Sequence, residues 1–207
     1  MGALTDGAEA TVTAEDYLGI PSVRKFRLPK AYRPEQFDLR LRGERLRTEA
    51  RMMREARRIG VRTPLVLDID EGSHSLVLER IEGRTLTEMF YEEKTPLSEL
   101  RAVVSRLGET LGRLHAGGLS HGDLTGSNAL WTGEEIAFID MSMGSRTPEL
   151  EDFGIDLHLV EEDLSTLTDQ AEALYQAFLG GYHQGAGKDA ERRIRRAREI
   201  KGRIRYS

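Results

Sequence analysis

A chain of 207 residues without a cysteine excludes a disulfide framework and any thiolate metal site. No apolar run approaches the ~20 residues that a membrane span requires, and the N-terminus lacks a signal-peptide core, so the expectation is a cytoplasmic protein of one domain or two small lobes. The net charge of −5 conceals an asymmetry: residues 188–207 hold nine Lys/Arg against three Asp/Glu, which leaves −11 on the remainder. A basic tail on an acidic body suits a polyanion or an acidic partner, and equally a solvated helix whose arginines pair with that body.

In chain order, Asp6-Gly7-Ala8-Glu9-Ala10 reads as a tight turn leading into a strand at Thr11-Val12-Thr13. A small-residue turn between strands lets backbone N–H groups approach phosphates. The full G-x-G-x-x-G pattern is absent, and an ordinary turn fits these residues better. Val23-Arg24-Lys25-Phe26 reads as a strand with Val23 and Lys25 on one face. In a chain with only five lysines, Lys25 suits a phosphate-binding ammonium under a cleft, and equally an exposed strand lysine.

From Pro34 to about Ile59 the pattern predicts a long helix with an apolar stripe of Leu39, Leu46, Ala50, Met53 and Ala56. Glu49, beside that stripe, is the acid best placed to pair with Lys25, and Glu44 is the competitor. The same helix carries eight arginines from Arg40 to Arg58, a density that would suit RNA phosphates or an acidic partner. Pro64–Ile69 and Leu76–Ile81 read as strands that complete a small antiparallel sheet. Glu82-Gly83-Arg84 breaks the pattern before helices take over, so a lobe boundary is expected near residue 82. A nucleotide would bind in the cleft there, against the backbone of Glu79 to Ile81.

Leu100, Val103, Val104, Leu107, Leu111 and Leu114 recur at helical spacing until Gly117 and Gly118 stop the helix. The stretch His121-Gly122-Asp123-Leu124-Thr125-Gly126-Ser127-Asn128 follows, then a short hairpin ending in Phe138-Ile139-Asp140. Phosphoryl transfer needs this set of side chains. One carboxylate orients or deprotonates the acceptor, while an amide and a second carboxylate hold magnesium against the phosphates. The five-residue step from Asp123 to Asn128, with a later strand-end Asp, matches the kinase signature. A polar loop with an Asx-turn is the bland alternative.

After Asp140, helical pattern resumes near Asp156, and Thr168 could cap a helix from Ala171 to Phe178. Gly180, Gly181, Gly185 and Gly187 read as a break before the basic tail. His115, His121 and His158 lack metal-ligand spacing, which argues against zinc. His121 reads as a hydrogen-bonding residue of the loop.

The chain resembles the small atypical kinase subunit of the KEOPS complex, the PRPK-type kinase. The resemblance runs through Gly7-Ala8-Glu9-Ala10, Val23-Arg24-Lys25, Leu28-Pro29-Lys30-Ala31-Tyr32-Arg33, Arg47-Thr48-Glu49-Ala50-Arg51, Ile81-Glu82-Gly83, the His121–Asn128 loop, Asp156-Leu157, Phe178–Tyr182 and the basic terminus. It implies an α+β, minimal two-lobed protein-kinase-like fold, with an N-lobe at 1–82, a C-lobe at 83–187 and a basic tail at 188–207. It also implies ATP and Mg2+ as cofactors, Ser/Thr autophosphorylation and a mainly ATPase role in making tRNA threonylcarbamoyladenosine. The implied partners are the threonylcarbamoyl-transferring KEOPS subunit, other KEOPS subunits and, through the tail, tRNA. By the same resemblance Lys25 would hold the α/β phosphates, positioned by Glu49. Gly7, Ala8, Glu9 and Ala10 would cover the nucleotide, with Glu79 and Ile81 at the hinge. Asp123 would be the catalytic base, and Asn128 and Asp140 would bind magnesium.

Asp140-Met141-Ser142 departs from the usual Asp-Phe-Gly. Met141 can fill an apolar slot, whereas Ser142 lacks the backbone freedom of Gly, so less freedom is expected in the following turn. No long activation loop or Ala-Pro-Glu follows, which favours ATPase or restricted kinase activity. Three other readings stay open. An aminoglycoside-kinase-type phosphotransferase also uses His-Gly-Asp and Ile-Asp, but only 67 residues follow Asp140 here. The others are a pseudokinase scaffold and, as a lesser alternative without an added N-terminal domain, a RIO-type kinase.

Overall fold

The computed structural model describes residues 3–6, 10–92 and 95–204, the first four as backbone only. The N-terminal part is an antiparallel sheet of β1 (Ala3–Asp6), β2 (Ala10–Tyr17), β3 (Ile20–Arg27), β4 (Val66–Asp70) and β5 (Ser75–Glu79), in the order β1-β2-β3-β5-β4. Leu18 and Gly19, both at positive φ, make the two-residue turn between β2 and β3, and Asp16 Oδ1 accepts from Gly19 N at 2.7 Å.

Helix α1 (Glu35–Arg58) starts directly after Pro34, whose fixed φ suits a helix entry, and lies on this sheet. Leu46, Ala50 and Met53 from α1 bury against Leu76 and Leu78 of β5, with Val23 and Val66 alongside. Leu39, expected in the stripe, is largely exposed. Its turn buries Asp38 instead, held by Arg42 at 2.7 Å and Arg33 at 3.5 Å.

A larger core fills the second half. It holds a three-stranded sheet of β6 (Arg84–Thr85), β7 (Ala129–Trp131) and β8 (Ile136–Phe138), with α2 (Leu86–Tyr91) and α3 (Leu97–Ala116) between β6 and β7, and α4 (Leu150–Leu167), α5 (Ala171–Ala186) and α6 (Ala190–Ile204) after β8. The apolar row on α3 is buried from Leu100 to Leu114, as its period predicts. Thr85 and Glu88 form a reciprocal capping box at the start of α2.

Two sequence expectations fail here. Gly180, Gly181 and Gly185 do not break a helix; they lie inside α5, and only Gly187, at φ 61°, ends it. A Cβ on Gly181 would fall 1.9 Å from the Ser105 carbonyl oxygen, and one on Gly108 2.0 Å from that of Phe178. The glycines therefore let α3 and α5 approach backbone to backbone. Thr168 is also not the cap of α5; it closes α4, and Gln170 precedes α5.

The basic tail is mostly a structural helix. Ala190, Ile194 and Ala197 are buried in the main core, and Ile200 is buried as well. Its cations pair with the acidic body, Arg196 with Glu151 and Lys201 with Glu161 at 2.6 Å. Among the described residues no helix is long and apolar enough to cross a membrane.

Candidate active site

Alternation along β3 puts Lys25 and Arg27 on one face, turned toward α1. Glu49 on α1 is fully buried and takes Lys25 Nζ at 2.7 Å. The competitor Glu44 is exposed and paired with Arg40 instead. Lys25 Nζ also lies 2.8 Å from Asp140 Oδ1, so one ammonium joins the sheet, α1 and the segment after β8. Arg27, which the sequence reading did not single out, is a second cation on the same acids. Its Nη2 pairs with Glu49 Oε2 and lies 3.8 Å from Asp140.

Asp140 itself takes the left-handed backbone conformation, at φ 54°. The strained residue is thus the Asp and not Ser142, whose hydroxyl donates to Asp140 Oδ1 at 2.9 Å. Met141 is fully buried and fills the apolar slot expected of it. Burial alone would raise the Asp140 pKa, but Lys25, Ser142 and Arg27 together hold it at about 2, so the carboxylate is ionised at neutral pH.

The loop before it is tightly determined. Asp123 is exposed, and Asn128 Nδ2 donates to its backbone carbonyl at 2.8 Å. Asn128 O accepts from Ile139 N at 3.0 Å, which ties the loop to the residue before Asp140. Gly122 has φ 81°, and a Cβ there would meet the Met143 carbonyl at 2.2 Å, so this position requires glycine.

Asp156 on α4 accepts from both His121 N and Gly122 N at 2.7 Å. It also receives His115 Nε2 at 3.0 Å, while His115 Nδ1 meets the Tyr182 hydroxyl at 2.8 Å. His121 is fully buried. Burial pushes its pKa down against the opposing pull of Asp156, Asp140 and Asp123. Neutral, it donates from Nε2 to the Ile139 carbonyl at 3.2 Å, while Nδ1 receives Asp123 N at 3.4 Å. This is the hydrogen-bonding role expected for it. Sequence reasoning placed Asp156 at a helix start without a role. The available signal was its position on the same face as Phe153, Leu157 and Val160.

Glu79 ends β5, and Ile81 lies two residues beyond. The Glu79 carboxylate is occupied by a bidentate pair with Arg62, at 2.5 and 3.0 Å, and by Leu65 N at 3.0 Å. The backbone N–H groups of Glu79 and Arg80 are engaged as well, donating to the Leu65 carbonyl at 2.8 Å and the Pro21 carbonyl at 3.1 Å. Arg62 O also accepts from Phe138 N at 2.9 Å, which joins the α1–β4 connection to β8. Of the small-residue turn, Gly7, Ala8 and Glu9 lie outside the described residues. Ala10 opens β2 opposite Arg27, with Val12 opposite Lys25, so β2 runs beside these two cations.

Among the described residues no group of three His, Cys, Asp or Glu side chains gathers as a metal site. One ionised carboxylate, Asp140, and one amide, Asn128, offer hard oxygen donors. That sparse set suits Mg2+, which keeps several waters and takes its other oxygens from phosphates.

Over residues 25–153 the chain matches the RIO domain family. It is 37% identical over 214 aligned residues to the KEOPS complex subunit Bud32 of Pyrococcus abyssi, covering 100% of this chain and 96% of that one. It is 42% and 37% identical to probable bifunctional tRNA threonylcarbamoyladenosine biosynthesis proteins of Methanosarcina mazei and Methanothermobacter thermautotrophicus. These alignments cover 99% of this chain but 35% and 36% of those proteins, so the chain spans little more than a third of their length. The RIO and KEOPS readings, weighed apart in the sequence, are thus similarities of one and the same chain. With its kinase-like α+β fold, the chain belongs to the RIO-domain family and to the family of the KEOPS subunit Bud32.

Proposed function

We propose that the chain is an ATP- and Mg2+-dependent kinase-fold ATPase with restricted Ser/Thr autophosphorylation, acting as a KEOPS subunit in tRNA threonylcarbamoyladenosine formation. The observation that carries this reading is the position of Lys25, 2.7 Å from Glu49 and 2.8 Å from Asp140. A triphosphate cleft needs that lysine beside a metal-binding acid. In this reading residues 1–82 form the nucleotide-covering lobe, 83–187 the catalytic lobe and 188–207 a basic terminal segment.

Lys25 turns from Asp140 to the α/β phosphates and stays positioned by Glu49. Asp140 and Asn128 hold Mg2+, which neutralises phosphate charge when bound. The exposed Asp123 orients the attacking water or hydroxyl, and Asn128 fixes the backbone that carries it. Residues 7–10 cover the phosphates, and the backbone at Glu79 and Ile81 faces the base.

The name of the relative Bud32 supports other KEOPS subunits as partners, and a threonylcarbamoyl-transferring subunit and tRNA belong to the same proposal. Two basic surfaces suit an anionic partner. One is α6, where Arg192, Arg195 and Arg198 are exposed. The other is a groove of about 860 Å³ between α1 and β4, where Arg47, Arg51, Arg54, Arg57 and Arg58 outnumber the two lining acids, Asp68 and Glu71, the latter paired with Arg47. The test is ATP hydrolysis by the purified chain, alone and with the transferring subunit and tRNA. Slow turnover raised by both, and lost in Asp123→Ala, is expected. Turnover that persists in Asp123→Ala would falsify the assignment of the catalytic carboxylate.

A further inference from the structure

Glu49 is fully buried, yet it receives two cations, Lys25 on Oε1 and Arg27 on Oε2. Exposure rises across the cluster. The Arg27 side chain is 3% exposed, that of Lys25 9% and that of Asp140 35%. Arg27 is therefore the more deeply buried of the two cations, and its approach to the half-exposed Asp140 is the longer one, 3.8 Å against 2.8 Å for Lys25. Its backbone is pinned as well, its N–H donating to the His74 carbonyl at 3.1 Å and its carbonyl accepting from Arg42 Nη1 at 3.4 Å.

The two acids and two cations balance as a neutral quartet. When Lys25 turns toward phosphate and Asp140 toward a metal, Glu49 would be left as a buried carboxylate with a shared partner. Such a charge is costly unless another cation stays with it. A guanidinium is always protonated and can hold a carboxylate while its neighbour moves.

We propose that Arg27 is a positioning residue that keeps Glu49, and with it α1, in place whether or not Lys25 is engaged elsewhere. The helix is then set over the cleft without help from an activation loop. This inference deepens the kinase reading, but its first test does not depend on it.

That test is hydrogen exchange at α1 amides 46–53 in the unliganded full chain. Arg27→Met should speed exchange roughly tenfold or more, and Lys25→Met less than about threefold. Arg27→Lys should restore most of the protection, which separates a charge-holding role from mere packing. In ATP turnover, Arg27→Met should lower kcat roughly tenfold with KM within about threefold of wild type, whereas Lys25→Met should raise KM. Equal loosening of α1 by both variants, or none by Arg27→Met, overturns the proposal. A rise in KM for Arg27→Met as large as that for Lys25→Met, with α1 unchanged, also overturns it and makes Arg27 a phosphate ligand. If wild type neither binds nor hydrolyses ATP, the kinase reading falls, and the exchange ranking still decides the role of Arg27.

Discussion

Lys25 Nζ stands 2.8 Å from Asp140 Oδ1, so an ion pair bridges the N-terminal sheet and the strand-end segment of the helical half. The pairing holds the Asp140 carboxyl at about 2, against the opposing effect of burial. In Lys25→Met the carboxyl should titrate well above that value, toward the ordinary range near ~3.9. Carboxyl-carbon NMR through the acid limb reads this directly. An unchanged titration would mean that Lys25 does not set the Asp140 charge.

His115 and His121 are both fully buried, and burial pushes both pKa values below the usual imidazole range. A histidine depressed in the folded state favours folding above its unfolded value, and that contribution is lost as pH falls. Thermal stability should therefore decline as pH drops below about 6.5. In a His115→Gln/His121→Gln variant the decline between neutrality and about pH 5 should flatten. A full decline in that variant would place the sensitivity elsewhere.

Removing the Asp156 carboxylate strands His121 N, Gly122 N and His115 Nε2 in the interior. Each buried donor left unpaired costs about 1–3 kcal/mol, so Asp156→Ala should lose at least ~3 kcal/mol in urea unfolding. Turnover should fall even where the variant is folded, because the backbone carrying Asp123 loses its anchor. A change within about 1 kcal/mol, the scale of one ordinary net hydrogen bond, would show that the loop is held by other contacts.

Adjacent glycines on α5 should respond with opposite signs. Gly180 has open space around its Cβ position, so Gly180→Ala should stabilise by about 0.5–1 kcal/mol. A Cβ on Gly181 would sit 1.9 Å from the Ser105 carbonyl oxygen, and Gly181→Ala should cost at least ~1–3 kcal/mol as α3 and α5 separate. Melting curves of the two variants decide the matter.

The basic terminus cannot be removed as a unit. Cutting before Lys188 takes away Ile194 and Ile200, worth about 1.5–3 kcal/mol each in burial, together with the Arg193 contact to the His115 carbonyl. Such a truncation should lose its cooperative transition. Replacing the exposed Arg192, Arg195 and Arg198 by Gln leaves the core intact. A tRNA role for α6 predicts that these replacements reduce tRNA stimulation of ATP hydrolysis, and unchanged stimulation would remove that role.

Where side-chain periodicity or a local motif governs structure, the sequence was readable. The apolar row of α3, the Asp123–Asn128 step and the hairpin ending at Asp140 needed only local spacing. Glu49 over Glu44 followed from its place beside Ala50 and Met53. The roles of Arg27, Asp156 and Arg62 were not readable, because each acts on a group far away in sequence. The α5 glycines misled for a related reason. Their use is close approach to α3, which no window along α5 contains. Residues 188–207 read equally as a polyanion-binding arm and as a helix whose arginines pair with the acidic body, because charge counts alone do not show the four small or apolar residues that bury it.

Equilibrium binding of ATP with and without Mg2+, in wild type and in Asp140→Ala, tests most directly whether Lys25 and the loop acids share one triphosphate site. Wild type should bind at least about tenfold more tightly with Mg2+, and Asp140→Ala should lose that gain while retaining metal-free binding through Lys25. An identical Mg2+ response in both proteins would contradict the shared site.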